Sequence, residues 1–278
     1  MKDSKKKRFF IHYLPIYGCI STGLIYTAIG VIAILSFLQI KEGGADEGSL
    51  LAFMYDYLAG KIFVWIVLLG TLSYIAWRIY EAFRDPYNYG NSWKGISRRF
   101  GIGLSSIADI FIAYSAIMVI LGVSEIQEDG RPEEQREMVG SMLQEGWGDV
   151  AIISLGVIIG LTAIVQFYYG VTRGYRERLN IKSFSKEIKM LIHFFAWIGY
   201  TARGIIIGII GFFFIKAGFL DNPDFVVNTD KAFNFIGENV GHLPYVIVAI
   251  GTICYGLFMF SLGATYDTNN YEGKRGNK

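Results

Sequence analysis

Cysteine is nearly absent: the 278 residues hold two, Cys19 and Cys254, both inside apolar runs. No disulfide framework and no zinc site can be built from them, and both read as small packing residues. Histidine is scarce at three and proline at five. Charged side chains make up only 18% of the chain, against about 25% in an ordinary soluble domain. P-loop, His-Glu-x-x-His and nucleophile-elbow motifs are missing, as is any Ser/His/Asp set. Gly101-Ile-Gly103-Leu-Ser-Ser106 begins like a dinucleotide fingerprint, but it lies within an apolar run instead of between a strand and a helix. No enzyme, no metal site and no cofactor is expected from such a chain. A net charge of +2 with short basic loops gives nucleic-acid binding no support.

What the chain has in excess is apolar length. Hydrophobic residues reach 53%, aromatics 16% and the mean hydropathy +0.37. The excess gathers into six continuous runs of about 20 residues or more, the length that crosses a hydrocarbon core about 30 Å thick. They fall near Leu14–Leu38, Ile62–Phe83, Phe100–Gly122, Val150–Gly170, Phe194–Ala217 and Leu243–Thr265. Continuous runs exclude a lipid-facing barrel, whose strands would alternate. Most Lys and Arg sit at the N-terminus, after the second and fourth runs and in the C-terminal tail, while the other loops are acidic, most densely over Glu125–Asp149. That alternation predicts six spans with both termini in the cytoplasm. Trp65, Trp77, Trp93, Trp147 and Trp197 lie near predicted span ends, where amphipathic rings favour the headgroup zone. The start, Lys5-Lys6-Lys7-Arg8 and the first run, has a signal peptide's charge but too long an apolar stretch; it reads as a retained helix.

The runs repeat. Odd-numbered runs align on Gly18, Gly23 and Gly30, then Gly101, Ser106 and Ala113, then Gly199, Gly204 and Gly211. Even-numbered runs align on Gly60 and Gly70, Gly146 and Gly156, and Gly241 and Gly251, with Tyr74 and Tyr255 sharing a slot that Gly160 fills in the middle copy. The predicted fold is therefore all-α: one polytopic membrane domain over 1–278, built as three parallel two-helix repeats in a pseudo-threefold arrangement. The repeats cover 12–86, 95–172 and 193–266, and 267–278 is a cytoplasmic tail. Small residues recur because lipid does not drive helices together, so close backbone approach must. Gly23, Gly30, Gly70, Gly156, Gly204, Gly211 and Gly251 are the expected packing positions. Each acidic loop also carries a short amphipathic stretch: Leu50, Phe53, Met54, Tyr57 and Leu58; Met138, Val139, Met142 and Leu143; Ala232, Phe233, Phe235 and Ile236. These read as short helices lying on the bilayer or the bundle.

The motifs Gly199-Tyr-Thr-Ala-Arg-Gly204, Gly60-Lys-Ile-Phe and Leu-Gly70-Thr-Leu-Ser-Tyr74 with Arg78 resemble those of a bacterial membrane family, domain of unknown function 1206. The resemblance covers nearly the whole chain. It is weakest in the middle copy, where Ser105-Ser106 replaces Arg203-Gly204. It implies a six-span fold in the bacterial cytoplasmic membrane and no particular activity.

Asp109 and Arg203 sit well inside predicted spans, where either costs about 2.5–3.5 kcal/mol unless paired or facing the bundle. Arg203 occupies the slot of Thr22 and Ser105; Asp109 lies one turn deeper, in the slot of Tyr26 and Ile207. Two readings stay open: a relay or substrate counter-charge, and an interhelical ion pair between these two residues. His12 and His193 share a slot and a depth that a haem iron would require, but both fall at the inner interface, where histidine is a common boundary residue. The expected function is a non-catalytic scaffold or accessory component of a membrane complex, with a membrane-protein partner or a second copy beside the lipid bilayer. The alternative is a small-solute or ion permease using the Asp109/Arg203 pair.

Overall fold

The computed structural model describes residues 2–40, 43–122 and 132–266, with side chains from residue 13 onward except at 104, 105, 107, 108 and 134. The basic N-terminal cluster, the side chains of His12 and Ser105, residues 125–131 of the acidic loop and the tail 267–278 lie outside the described residues.

Among the described residues there are nine α-helices and no strand. Six are long: α1 (Lys2–Phe37), α3 (Leu58–Arg84), α4 (Trp93–Leu121), α6 (Gly148–Val171), α7 (Lys186–Phe219) and α9 (His242–Ala264). Three are short: α2 (Glu47–Tyr55), α5 (Glu133–Leu143) and α8 (Thr229–Asn239). Polar side chains start several of them by accepting from backbone N–H groups that have no partner within the helix. Asp46 accepts from Ser49 N (3.1 Å), Ser92 from Gly95 N (3.3 Å), Ser185 from Ile188 N (3.4 Å) and Asn228 from Lys231 N (3.0 Å).

Five helices are long and apolar enough to cross a membrane: Tyr13–Phe37 within α1, then α3, α6, α7 and α9. The sequence leads to an expectation of six. In α4, which carries Lys94, Arg98 and Arg99 in its first turns, the apolar stretch among the described residues is Asp109–Leu121. Apolar side chains are not confined to inward faces. Ile62, Ile66, Leu69 and Ile79 of α3 and Val157, Leu161, Ile164 and Tyr168 of α6 are exposed. Helices apolar on both faces need an apolar solvent as well as an apolar core, and they mark this as a membrane-embedded protein. Trp77 departs from the interfacial expectation, being 1% exposed and packed on Tyr80 and Tyr266.

The long helices follow one another around a ring in chain order, α1, α3, α4, α6, α7, α9, and α9 returns to α1. Five of these six contacts are extensive; the one between α4 and α6 is thin. The short helices sit at one end as a lid: α2 against α3 and α4, α5 against α6, and α8 against α7 and α9. Their apolar residues Leu50, Leu51, Val139, Phe233 and Ile236 are buried on the bundle. At the other end, the loop after α6 is tied to the end of α9 by a bridge between Leu179 and Tyr266 and by Asn180 N donating to Thr265 O (2.8 Å).

Glycines set the crossings. A Cβ on Gly70 of α3 would lie 2.6 Å from Ser21 Cβ and 2.8 Å from Tyr17 O of α1, and one on Gly251 of α9 2.5 Å from Ala202 Cβ of α7. Gly30 meets Ile253 and Ala249 (2.6 and 2.9 Å), Gly23 the ring of Phe260 (2.8 Å) and Gly204 the ring of Phe167 (3.0 Å). Gly156 of α6 departs from the pattern of its counterparts. Where Gly70 and Gly251 press on the long helix just before their own, Gly156 presses on α7, 2.6 Å from Ile215 N, and Gly211 answers it at 3.0 Å from Gly156 O and 2.8 Å from Gly160 N. With its glycine face turned to α7, α6 touches α4 low down, at Gly101 and Val165 (3.4 Å), and diverges from it towards the lid.

Two substitutions separate these roles. Gly211→Val overfills a backbone-to-backbone crossing and is expected to lower stability by about 1–3 kcal/mol or more. Gly103→Ala, whose Cβ meets nothing within 4 Å, leaves it nearly unchanged. Thermal unfolding in detergent measures both.

Candidate functional site

The divergence of α4 and α6 leaves a wedge-shaped cavity of about 330 Å³, at the lower end of the size range for small-molecule sites. Its walls are apolar: Ile110, Phe111 and Tyr114 from α4, Ile159 from α6, and Ile206, Ile207, Ile210 and Phe214 from α7. Asp46, Glu47, Asn228 and Thr229 form a polar rim under the lid, and Met138 of α5 closes one side. The floor is Arg203, Tyr26 and Tyr255.

Arg203 is placed by its neighbours in sequence. Ala202 presses on Gly251 of α9 and Gly204 on Phe167 of α6, so α7 is held on both sides and residue 203 projects between them. The side chain is 3% exposed. Its Nη1 donates to the Tyr255 hydroxyl, and its guanidinium lies 4.8 Å from the Tyr26 ring centre and 4.9 Å from that of Tyr255. The two rings meet edge to face at 5.1 Å. Aromatic faces stabilise a desolvated cation by about 2 kcal/mol. Nε and Nη2 have no hydrogen-bond partner.

Below the floor the ring is filled. Arg78 Nε of α3 lies 3.4 Å from Asp109 Oδ2 of α4, and the Arg78 guanidinium covers the Tyr74 ring at 4.3 Å. Glu81 of α3 pairs with Arg178 in the loop after α6. Tyr200 stacks on Tyr175 (5.9 Å, 13° between planes), with Tyr169 and Phe258 against them. The cavity therefore ends blind at mid-bundle.

Of the two readings left open for Asp109 and Arg203, the mutual ion pair is not the contact observed: Asp109 pairs with Arg78, and Arg203 binds Tyr255 and lines the cavity. The reason is ring order, since α3 adjoins α4 while α7 stands beyond α6. Sequence reading missed Arg78, Glu81 and Arg178 as buried charges. One signal was available, because Glu81 is an acid at a span end otherwise flanked by bases. The histidine pair is not brought to a test, His12 being undescribed; His193 packs on Tyr175. Among the described residues, no cluster of three or more His, Cys, Asp or Glu could hold a metal.

The rim carries its own electrostatics. Asp230, 1% exposed, accepts from Ala45 N (2.9 Å) and Asn234 Nδ2 (3.2 Å). Burial, reinforced by Asp46 and opposed by those hydrogen bonds and Lys231, pushes its carboxyl up to about 6. Glu47, which accepts from the Thr229 hydroxyl (3.0 Å), is also raised by burial and then by Asp46.

Comparison with known proteins places these features in a family context. A family model described as a domain of unknown function (DUF1206) matches residues 17–85 and 198–265, which span α1 to α3 and α7 to α9. The chain is similar to a protein of Bacillus subtilis (strain 168) described as uncharacterized protein YxxB, 27% identical over 248 residues and covering 88% of each. No solved structure matches. The matched segments are the two helix pairs that pack tightly; the splayed pair, α4 and α6, lies between them.

Asp109→Asn leaves Arg78 buried without its counter-charge and is expected to cost about 3–5 kcal/mol, recovered in large part by Arg78→Met in the double variant; unfolding of the four proteins of the cycle measures this. Asp230 gives a pH dependence. Its folded pKa lies above the unfolded one, so its contribution is fully present below about 4 and is lost as pH rises through about 6, a drop of about 3 kcal/mol. Asp230→Asn should flatten the stability profile between pH 4 and 7.

Proposed function

From a chain that resembles an uncharacterised bacterial family in its two tightly packed helix pairs, we propose an integral protein of the cytoplasmic membrane that binds a small solute in the wedge between α4 and α6. The reading belongs to the permease class and involves no catalysis. It takes the chain to have six spans, with both termini cytoplasmic and the lid outside, as the loop charges require. The six helices then form three parallel pairs about a pseudo-threefold axis, because α3 packs on α4, α6 on α7 and α9 on α1, the same junction three times.

The observation that carries the reading is the cavity's blind end on Arg203. A guanidinium that is 3% exposed, with two nitrogens unpartnered, is costly in a membrane interior and marks a substrate or ion pathway there by default. The rim is polar, the walls apolar, and the aromatic packing below closes the path towards the termini. That is one face of an alternating-access arrangement.

A scaffold would offer glycine-rich packing faces to a partner, with short polar loops and no catalytic set. Those faces are largely occupied within the chain, as Gly23, Gly30, Gly70, Gly156, Gly204, Gly211 and Gly251 all press on its own helices. One observation still favours a partner: a helix from another protein, or from a second copy, lying along the seam would cover Ile110, Phe111 and Tyr114, which are exposed.

Native mass spectrometry of the protein extracted in mild detergent discriminates the two. A bound small mass, shed on Ile207→Trp, is the expected result. A stoichiometric second polypeptide with no small adduct would turn the reading to the scaffold.

A further inference from the structure

At the end opposite the lid the bundle is closed by a loop, and that loop is held differently from the helices. Residues 173–181, with one turn of 3-10 helix at Gly174–Arg178, lie across the bundle end as a strap. Arg178 pairs with Glu81 of α3, and its guanidinium lies 5.5 Å from the Tyr169 ring centre of α6. Tyr175, fully buried, stacks on Tyr200 of α7 and meets Phe258 of α9 edge to face at 5.1 Å. Leu179 and Asn180 bridge to Tyr266 and Thr265 at the end of α9. Glu177 takes Arg98 of α4 at 3.0 Å. One short segment therefore ties α3, α4, α6, α7 and α9 together.

The helices are joined by glycine crossings in which backbone meets backbone, and parting them forfeits packing that lipid does not restore. The strap is joined by groups that water can replace. A buried ion pair gives little net stability, because both partners recover hydration when they separate. Tyr175 Oη, Arg178 Nε and His193 Nδ1 are buried without a hydrogen-bond partner, and each gains one from water once the strap lifts. Arg173, where the strap begins, holds a left-handed backbone at φ 55°, a conformation that costs a non-glycine residue and is relieved by movement. The strap also connects to the wedge. Tyr200, under Tyr175, meets Tyr255 edge to face at 5.3 Å, and the Tyr255 hydroxyl holds Arg203 in the floor.

Resting on the solute-site reading above, we propose that this strap is the inner gate of the wedge. When Arg178 parts from Glu81 the strap swings out towards the termini, Tyr175 leaves Tyr200, and the floor at Tyr255 and Arg203 opens on that side. The lid end and the strap end then serve as alternate entrances to one cavity.

Cys19 is a native reporter of that opening. It lies on α1 about two turns from Tyr26 on the strap side, fully buried, 3.0 Å from where a Cβ on Gly263 would stand and within reach of the Arg178 charge. Cys254→Ser leaves it the sole thiol. The protein is reconstituted in vesicles of known orientation and treated on one side with a membrane-impermeant maleimide. Cys19 of this parent should react slowly from either side. Glu81→Gln strands the Arg178 charge, which hydrates by swinging out, and should raise the rate about tenfold or more from the strap side alone. Glu81→Gln/Arg178→Met leaves no charge to hydrate and should return the rate towards that of the parent. Thermal unfolding shows which variants keep the fold. Tyr87→Phe, which removes only a hydroxyl contact with Tyr266 (3.1 Å), disturbs it least and should raise the strap-side rate about threefold, the worth of one hydrogen bond. An unchanged rate in Glu81→Gln, or in Tyr87→Phe where Glu81→Gln does not fold, overturns the gate. So does an equal rise from both sides, or a double variant as reactive as the single. The bound mass sought in the native spectrum is read independently. If it is present while Cys19 stays closed, the solute reading stands and the inner gate alone falls; a strap that opens with no bound mass supports the gate and counts against the solute.

Discussion

The architecture turns on which helix the glycines of α6 press against. In lipid, apolar side chains gain nothing by leaving solvent for a partner, so association rests on close packing of backbone on backbone. Gly70 and Gly251 direct that packing to the helix just before their own, and they close the pairs α1/α3 and α7/α9. Gly156 directs it forward to α7, against Ile215 and Gly211, and Gly211 answers from α7 against the backbone of Gly156 and Gly160. A helix has one glycine face here, and using it on α7 leaves none for α4. The wedge is the consequence, and the cavity sits where the ring lacks its sixth tight contact.

Charge follows the same geometry. A ring in chain order makes α3 and α4 neighbours, so Arg78 and Asp109 can neutralise each other. Glu81 does the same for Arg178, which the loop after α6 carries back towards the end of α9. Burying such pairs contributes little net stability, but breaking either one strands a charge. Arg203 is treated differently: tyrosine faces and one hydroxyl make its burial tolerable without cancelling its charge. Tyr255 occupies a slot that is tyrosine in the first pair and glycine in the second, and the missing ring at Gly160 belongs to the pair that has splayed.

Much of this was legible in one dimension. Span positions read as Leu14–Leu38 and Leu243–Thr265 lie within a residue or two of Tyr13–Phe37 and His242–Ala264. Apolar spacing at Leu50 to Met54 and at Ala232 to Ile236 marked the places where α2 and α8 form, while Tyr57 and Leu58, read into the same stretch, instead begin α3. Arg203 was legible as a buried charge, because a cation in an apolar run has few places to go. Its partner was not legible. The repeat alignment assigns Asp109 and Arg203 neighbouring depths, but depth along a helix says nothing about which helix stands opposite. Trp77 was misplaced for a related reason: proximity to a span end puts a ring at the right height, and only its facing decides between headgroups and core.

The sequence by itself determined where the long helices form, their apolar character and the small residues available for crossings. These depend on local hydropathy and on a bilayer that is the same solvent for every segment. Tertiary structure alone decided that α6 leans on α7, that Asp109 meets Arg78, and that Arg203 ends a cavity on the hydroxyl of Tyr255. Those outcomes depend on a few ångströms of approach between helices far apart in the chain, a distance that no residue encodes by its own type.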